Sequence, residues 1–305
     1  MVDKFFKSCI NDIVLGSNVE VLSKFPKNCI DLTVTSPPYD GIRNYNNKLD
    51  TNQPLIGNYS FPFEELAQQL LRITKIGGVV VWNVNDQTVD GFDGGTTETG
   101  NSFRMALYFQ QIGFNIHDTM IYNKPGVRFP DQTRYHQTFE YMFVLSKGKP
   151  KAIHFICDKE NKSYNPHKFW AKERNKREKE DGYTVCDTFT KTVEKMGRRH
   201  NVWKINPEQS TGGDVTEWNW HPAIFPSKLA KDHITSWSNE GDIVLDPFSG
   251  SGTTAIQAKI LKRKYIGIEI NQEYVEKSKK RIDSYAASEN KIVDEKGVLT
   301  DFIQF

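Results

Sequence analysis

Two short stretches, far apart in the chain, combine residue types that could do chemistry. Asp246-Pro247-Phe248-Ser249-Gly250-Ser251-Gly252-Thr253-Thr254 follows the apolar run Ile243-Val244-Leu245 and leads into Ala255, Ile256, Ala258, Ile260 and Leu261. A β-rich run that breaks at a proline and two spaced glycines, then takes up a helical pattern, reads as strand, tight loop and helix. Glycines in such a loop allow a ligand to approach the backbone closely, and the free N–H groups of the helix start face it. Seventeen residues after Gly252, the run Tyr265-Ile266-Gly267-Ile268-Glu269 ends in a carboxylate where a βαβ unit places a ribose-binding acid. That spacing favours an adenosyl ligand. A loop for a triphosphate would carry Gly-Lys-Ser/Thr, which is missing.

The other stretch is Ser36-Pro37-Pro38-Tyr39, at the end of the strand-like run Ile30-Asp31-Leu32-Thr33-Val34-Thr35. Consecutive prolines cannot continue a sheet ladder, so the backbone is forced into a stiff turn at the strand's carboxyl end. The turn fixes the Ser36 hydroxyl, the Pro37 carbonyl and the Tyr39 ring. This set suits the exocyclic amine of a nucleobase, a poor nucleophile because its lone pair is delocalised into the ring. Two acceptors holding its hydrogens favour a pyramidal nitrogen with a directed lone pair. The Tyr39 face can stack on a base taken out of a duplex, worth roughly 1–3 kcal/mol.

Thr-Ser-Pro-Pro-Tyr and Asp-Pro-Phe-Ser-Gly-Ser-Gly-Thr-Thr, with Tyr-Ile-Gly-Ile-Glu after it, together resemble the motifs of the DNA amino-methyltransferases that use S-adenosylmethionine (AdoMet). The motif order resembles their permuted (beta) class, in which target recognition separates a catalytic half from a cofactor half. The resemblance covers roughly residues 1–147 and 221–285. It implies an α/β fold of the class I AdoMet-dependent, Rossmann-like type: a mostly parallel sheet with an antiparallel edge and helices on both faces, plus a DNA-recognition insertion. Ligands of such sheets sit at the carboxyl ends of the strands.

By resemblance, Ser36, Pro37, Pro38 and Tyr39 are catalytic and aim the amine at the sulfonium methyl. Asp246, Pro247, Phe248, Ser249, Gly250, Gly252, Thr253 and Glu269 would hold AdoMet, with Phe225, Pro226 and Ser227 at its methionine end and Asp12 beside its adenine. Members with Ser first in the Pro-Pro-Tyr motif mostly modify cytosine N4, and those with Asp mostly adenine N6. The expected reaction is therefore methylation of N4 on a flipped cytosine in double-stranded DNA, within a restriction–modification context. Adenine N6 is the alternative. More distant are a protein or small-molecule amine or amide as substrate, and a DNA-binding module with a vestigial cofactor crevice. A homodimer and a cognate restriction endonuclease acting on the same site are the partners such a role implies.

The elements that must position these motifs can be read along the chain. At 305 residues there is room for an α/β core and an inserted subdomain. No uninterrupted apolar run is long enough to cross a bilayer, so a soluble protein of the bacterial or archaeal cytoplasm is expected. Cys9, Cys29, Cys157 and Cys186 are scattered without a Cys-x-x-Cys pair, which points to neither a metal site nor a disulfide framework.

The net charge of +2 is uninformative, but from Lys147 to Glu217 there are sixteen Lys/Arg against eleven Asp/Glu, interleaved with aromatics. The expected division is 1–147 (catalytic half), 148–220 (target recognition) and 221–305 (cofactor half). DNA contacts are expected from Arg43, Arg134, His136, Arg198 and Arg199, by phosphate attraction. Within the insertion, the alternating charges of Ala171 to Asp181 read as a solvated helix face.

Residues 4–11 suggest a strand that ends at Asp12, and Ser17 with Glu20 a capping box. Residues 40–59 form a long polar loop. A helix from Glu64 to Lys75 is expected to stop at Gly77-Gly78 before the strand Val79 to Val84. Asp90 to Gly100 reads as a mobile loop, and Ser102 as the cap of a helix from Phe103 to Ile112. Strands are expected at Asn115 to Asn123 and Glu140 to Ser146. Pro226 suits the first turn of a helix, and Asn271 caps a last helix running to about Ser288.

Overall fold

From Leu32 to Thr35 the run Ile30–Thr35 is fully buried, as in a strand covered by helices on both faces of a sheet. In the computed structural model, which describes residues 2–38, 61–126, 133–162, 164, 170–177, 184–191, 194–207, 220–221 and 224–296, this run is a central strand. The strands are β1 (Asp12–Leu15), β2 (Ile30–Thr35), β3 (Thr74–Val84), β4 (Thr88–Asp90), β5 (Thr96–Glu98), β6 (Asn115–Asn123), β7 (Phe139–Ser146), β8 (Lys159–Glu160), β9 (Trp170–Arg177), β10 (Thr184–Lys191), β11 (Met196–Gly197), β12 (Val202–Lys204), β13 (Ile243–Asp246) and β14 (Lys264–Glu269). The helices are α1 (Val2–Cys9), α2 (Asn18–Ser23), α3 (Phe63–Ile73), α4 (Asn101–Ile112), α5 (Ser227–Trp237), α6 (Thr253–Ile260) and α7 (Gln272–Lys296).

Among the described residues the main sheet has eight strands in the order β1-β14-β13-β2-β3-β7-β6-β12. Only β7 runs against its neighbours; the other pairings are parallel. The mostly parallel α/β sheet is as expected. Its antiparallel pair is not the outermost feature, because β12 adds a parallel strand beyond β6.

The chain divides into two compact units, Met1–His154 with Asn201–Phe305, and Phe155–His200. The inserted unit is therefore shorter at both ends than 148–220. Its expected flanks are bound into the main unit: Lys151 N–H donates to the Gly77 carbonyl at 3.0 Å and His154 N–H to that of Ser236 at 2.9 Å, while the buried Trp203 stacks on His233 with ring centroids 4.6 Å apart. Within the inserted unit β8 pairs with β11, and β9 with β10, all antiparallel. The alternating charges of Ala171 to Asp181 thus lie largely on a strand, β9, paired with a partner rich in Thr, Val and Phe.

Several local expectations give way to tertiary packing. Residues 4–11 are not a strand, because Phe6 and Cys9, three apart, bury one face of helix α1, with Phe6 edge-on to Phe25 at 5.0 Å. Ser17 occupies the N-cap of α2 without a side-chain hydrogen bond; Asn18 Oδ1 accepts the Val19 N–H at 2.8 Å instead. Gly77 and Gly78 do not stop α3. Thr74 is already extended, and the glycines form a bulge within β3, which pairs Ile30 with Thr74 and Leu32 with Val79. Gly77 has φ +84°, and a Cβ there would lie 3.1 Å from the Lys149 carbonyl. Asp90 to Gly100 holds an ordered hairpin, β4–β5. Gly100, not Ser102, is the N-cap of α4; the buried Asp86 carboxylate serves the helix start by accepting the Ser102 N–H at 3.1 Å.

Candidate active site

Because β2 and β13 are adjacent and parallel, pairing Thr33 with Leu245, the Pro-Pro turn and the glycine loop leave the sheet side by side at the same edge. Thr35 Oγ1 donates to Asp246 Oδ1 at 2.6 Å, and the same oxygen accepts the Phe248 N–H at 3.0 Å. From the first turn of α6, Thr254 Oγ1 donates to the Val34 carbonyl at 3.4 Å. Burial pushes the Asp246 carboxyl above the ordinary carboxylate range, and hydrogen bonds from Thr35, Phe248 and Thr254 oppose that rise.

On the other side of β13, β14 ends at Glu269, whose Oε2 accepts the Gly250 N–H and whose Oε1 accepts the Asn271 N–H, both at 2.9 Å. Burial raises this carboxyl as well, and the Asp246 charge adds to the rise. The glycine loop needs its glycines. Gly250 and Gly252 have φ +49° and +79°. A Cβ on Gly250 would sit 2.7 Å from His221 Nε2, and one on Gly252 3.2 Å from the Ser278 Cβ of α7.

The strand register and the Thr35–Asp246 bond place Ser36, Pro37 and Pro38, which follow Thr35, at the same end of the sheet as residues 246–253 and Glu269. Phe248 turns its ring inward, edge-on to Phe61 at 5.0 Å, so it anchors the loop to an aromatic cluster with Trp82. Ser249 is buried, and a Cβ at Gly267 would overlap it. Phe225, Pro226 and Ser227 lead into α5, with Pro226 at its N-cap. Asp12 does not end a strand. It opens β1, three residues before Leu15 draws level with Glu269, and its carboxylate pairs with Lys279 Nζ at 2.8 Å. The reason is α1, which takes up the residues expected to form that strand.

Tyr39, Arg43 and the polar loop 40–59 lie outside the described residues. Arg134 is tied to the β4–β5 hairpin, its Nη2 3.0 Å from Thr96 Oγ1, and His136 is exposed. In the inserted unit the Arg198 guanidinium lies 4.0 Å from the Phe155 ring centroid, and Arg199 Nε donates to Asp158 Oδ2 at 2.7 Å.

Three further residues, with no motif to mark them in the sequence, brace the site. Asn18 Nδ2 donates to the Pro247 carbonyl at 3.4 Å. The buried Arg281 donates through Nη1 to the Ser251 carbonyl at 2.9 Å and to Thr253 Oγ1 at 3.1 Å. His221 covers Gly250 and packs edge-on to Tyr274 at 5.0 Å. Arg281 shares one buried face of α7 with Val275, Ser278 and Ile282, and only that burial distinguishes it from an arginine on a solvated, charged helix.

Residues 30–280 match the N6_N4_Mtase family model, described as DNA methylase. The chain belongs to this family of DNA methylases. The match spans both corners of the site. The orphan methyltransferase M.BamHII of Bacillus amyloliquefaciens is 52% identical over 84% of this chain and 89% of its own length. The Type II methyltransferase M.SmaI of Serratia marcescens is 29% identical over 90% and 91% respectively. Among solved structures, the PvuII DNA methyltransferase (cytosine-N4-specific) superposes with a TM-score of 0.59 at 20% identity, covering 92% of both chains. M1.HpyAVI in complex with SAM gives 0.53 at 22% identity, covering 88% of this chain and 98% of that one. The methylase fold is thus the class I type, with the strand bearing the glycine loop next to the strand bearing the Pro-Pro turn.

Proposed function

We propose that this DNA methylase transfers the AdoMet methyl group to the exocyclic N4 of a cytosine flipped out of double-stranded DNA. The observation that carries the reading is the junction of the two corners through Thr35 and Asp246. It sets an amine-holding turn beside a loop suited to an adenosyl cation.

The residues fit AdoMet. Two glycines lie where a side chain would meet a neighbour, Ser249 and Thr253 are buried in the loop, and the start of α6 faces it with free N–H groups. Asp246 and Glu269 are carboxylates raised by burial, which a ligand of net positive charge would help to ionise. AdoMet supplies an electrophilic methyl group on a sulfonium.

Of the protein groups, Glu269 would hold the ribose, with Pro247, Gly250 and Gly252 framing the loop. Asp246 and Phe248 act by shaping it, and the residues Phe225, Pro226 and Ser227 at the start of α5 would take the methionine end. Asp12, paired with Lys279 at the opening of β1, lies three residues short of the level of Glu269 and takes no part in this site. The Ser36 hydroxyl and the Pro37 carbonyl would accept the amine hydrogens and direct its lone pair, with Pro38 stiffening the turn. Tyr39 would stack on the flipped base. The proton lost from the methylated amine can pass to solvent.

Double-stranded DNA would be held by the inserted unit, with Arg198 and Arg199 toward phosphates, and by Arg43, Arg134 and His136 from the main unit. Ser at the head of the Pro-Pro-Tyr motif supports cytosine N4, and the PvuII enzyme, named as cytosine-N4-specific, shares the fold. The family spans both amines, so adenine N6 is the second reading. Relatives named Type II methyltransferases support a restriction–modification setting. A paired nuclease and a homodimer remain parts of the proposal, the 52% identical relative being named an orphan. A cytoplasmic location goes with this role, and no helix among the described residues is long and apolar enough to cross a membrane.

The test is to incubate the protein with duplex DNA and labelled AdoMet, then digest the DNA to nucleosides for mass spectrometry. N4-methylcytosine is the expected product. N6-methyladenine alone would replace the first reading by the second.

A further inference from the structure

Two threonines on β2 make an internal comparison. Thr33 and Thr35 are two apart on a strand, so their side chains point to the same face, and both are fully buried. Thr33 Oγ1 has no hydrogen-bond partner among the described residues. Thr35 Oγ1 donates to Asp246 Oδ1 at 2.6 Å, the oxygen that also accepts the Phe248 N–H of the glycine loop. One carboxylate oxygen therefore holds both corners. Ser36 follows Thr35 directly, so the hydrogen bond from the Thr35 hydroxyl tethers the strand end from which the turn departs.

We propose that Thr35 is a positioning residue: its hydroxyl, acting through Asp246, fixes the spacing between the Pro-Pro turn and the glycine loop and thereby governs methyl transfer. This rests on the function proposed above. The Asp246 carboxylate faces the Thr35 hydroxyl from β2, the Phe248 N–H from its own loop and the Thr254 hydroxyl from α6, and the charge of Glu269 on β14 interacts with it. Removing the Thr35 donor withdraws one of the groups that favour the ionised form.

The experiment compares Thr35→Val, Thr35→Ser and Thr33→Val with the wild-type chain. AdoMet affinity is read by calorimetry across pH, and the transfer rate in single turnovers on duplex DNA at saturating AdoMet. Thr35→Val should slow transfer by about ten- to a hundredfold, as misplacement of reacting groups does. Its loss of AdoMet affinity on acidification should begin at a higher pH than in the wild type; Glu269 is common to all variants and cancels in the comparison. Thr35→Ser should restore the rate to within about threefold, since it keeps the donor. Thr33→Val should leave rate and pH profile unchanged, with a melting temperature equal or higher, because it removes an unpaired buried hydroxyl.

Equal rates and profiles for Thr33→Val and Thr35→Val would overturn the proposal, as would a Thr35→Val effect confined to the melting temperature. Should Thr35→Val fail to fold, Thr35→Cys, close in volume and a weak donor, gives the same contrast. Ser36→Ala separates the two levels of inference. If it transfers methyl groups like the wild type, the catalytic reading of the turn fails whatever Thr35 does; if it is inactive while Thr35→Val is not, only the positioning role fails.

Discussion

Asp246 and Glu269 show how a site can be poised by its discomfort. Burial raises both carboxyls above the usual range, and the charge of Asp246 works against that of Glu269. A carboxyl raised in the folded state favours folding while protonated, and that contribution is lost as pH climbs through its folded-state value. Without ligand, these two groups should therefore add stability on acidification from neutrality. A cation in the loop reverses the preference, because it favours both charges. AdoMet carries a sulfonium and an ammonium against one carboxylate, so its affinity should fall on acidification from neutrality, while S-adenosylhomocysteine, whose sulfur is neutral, should lose less. Calorimetric titration of both ligands at successively lower pH tests it. Parallel pH profiles for the two would remove the electrostatic role assigned to the pair.

At the scale of elements, the glycine loop is braced from behind by α7. Arg281 donates to the Ser251 carbonyl at 2.9 Å and to Thr253 Oγ1 at 3.1 Å from a buried position. Arg281→Met keeps most of the side-chain volume and leaves the carbonyl without that donor. It should destabilise the fold by about 1–3 kcal/mol and weaken AdoMet binding by about tenfold, read from denaturant unfolding and calorimetry. Unchanged affinity would mean that the loop holds its form unaided. Arg281 also marks where the sequence stops being legible, since an arginine on a charged helix reads as solvated and only its burial beside the loop says otherwise. β2, β13, α6 and β14 were readable because their signals are local: short β-rich runs punctuated by Pro or Gly. Residues 4–11 read as a strand because an eight-residue segment with Phe5, Phe6 and Cys9 supports either period, and packing on Phe25 decides for the helix. Gly77 looks like a helix stop and is a bulge, a distinction that depends on which residues of β2 lie opposite. The carboxyl edge shared by the two corners was legible only through the resemblance, for nothing in the spacing of residues 36 and 246 says that their strands are neighbours.

At the scale of the molecule, the main unit contains both corners entire, and β8–β11 and β9–β10 of the inserted unit pair only with each other among the described residues. The proposed function divides the labour between them, AdoMet on the sheet and duplex DNA on the insertion, where residues 155–200 hold twelve Lys/Arg against eight Asp/Glu. The main unit secures both points where the insertion leaves it: His154 donates its N–H to the Ser236 carbonyl at 2.9 Å, and Asn201 donates through Nδ2 to the Thr119 carbonyl at 3.2 Å. Residues 155–200 can therefore be replaced by a flexible Gly/Ser linker of about twelve residues, which reaches up to about 40 Å and adds little closure entropy. The shortened chain should bind AdoMet within about threefold of the full chain, a difference of about 0.7 kcal/mol. It should lose most of its duplex affinity and methylate DNA at under about one hundredth of the full-length rate. The full chain's duplex affinity should fall steeply with added salt, as phosphate contacts require. If the shortened chain methylates duplex DNA at the full rate, recognition lies in the main unit, and the charge excess of the insertion serves some other purpose.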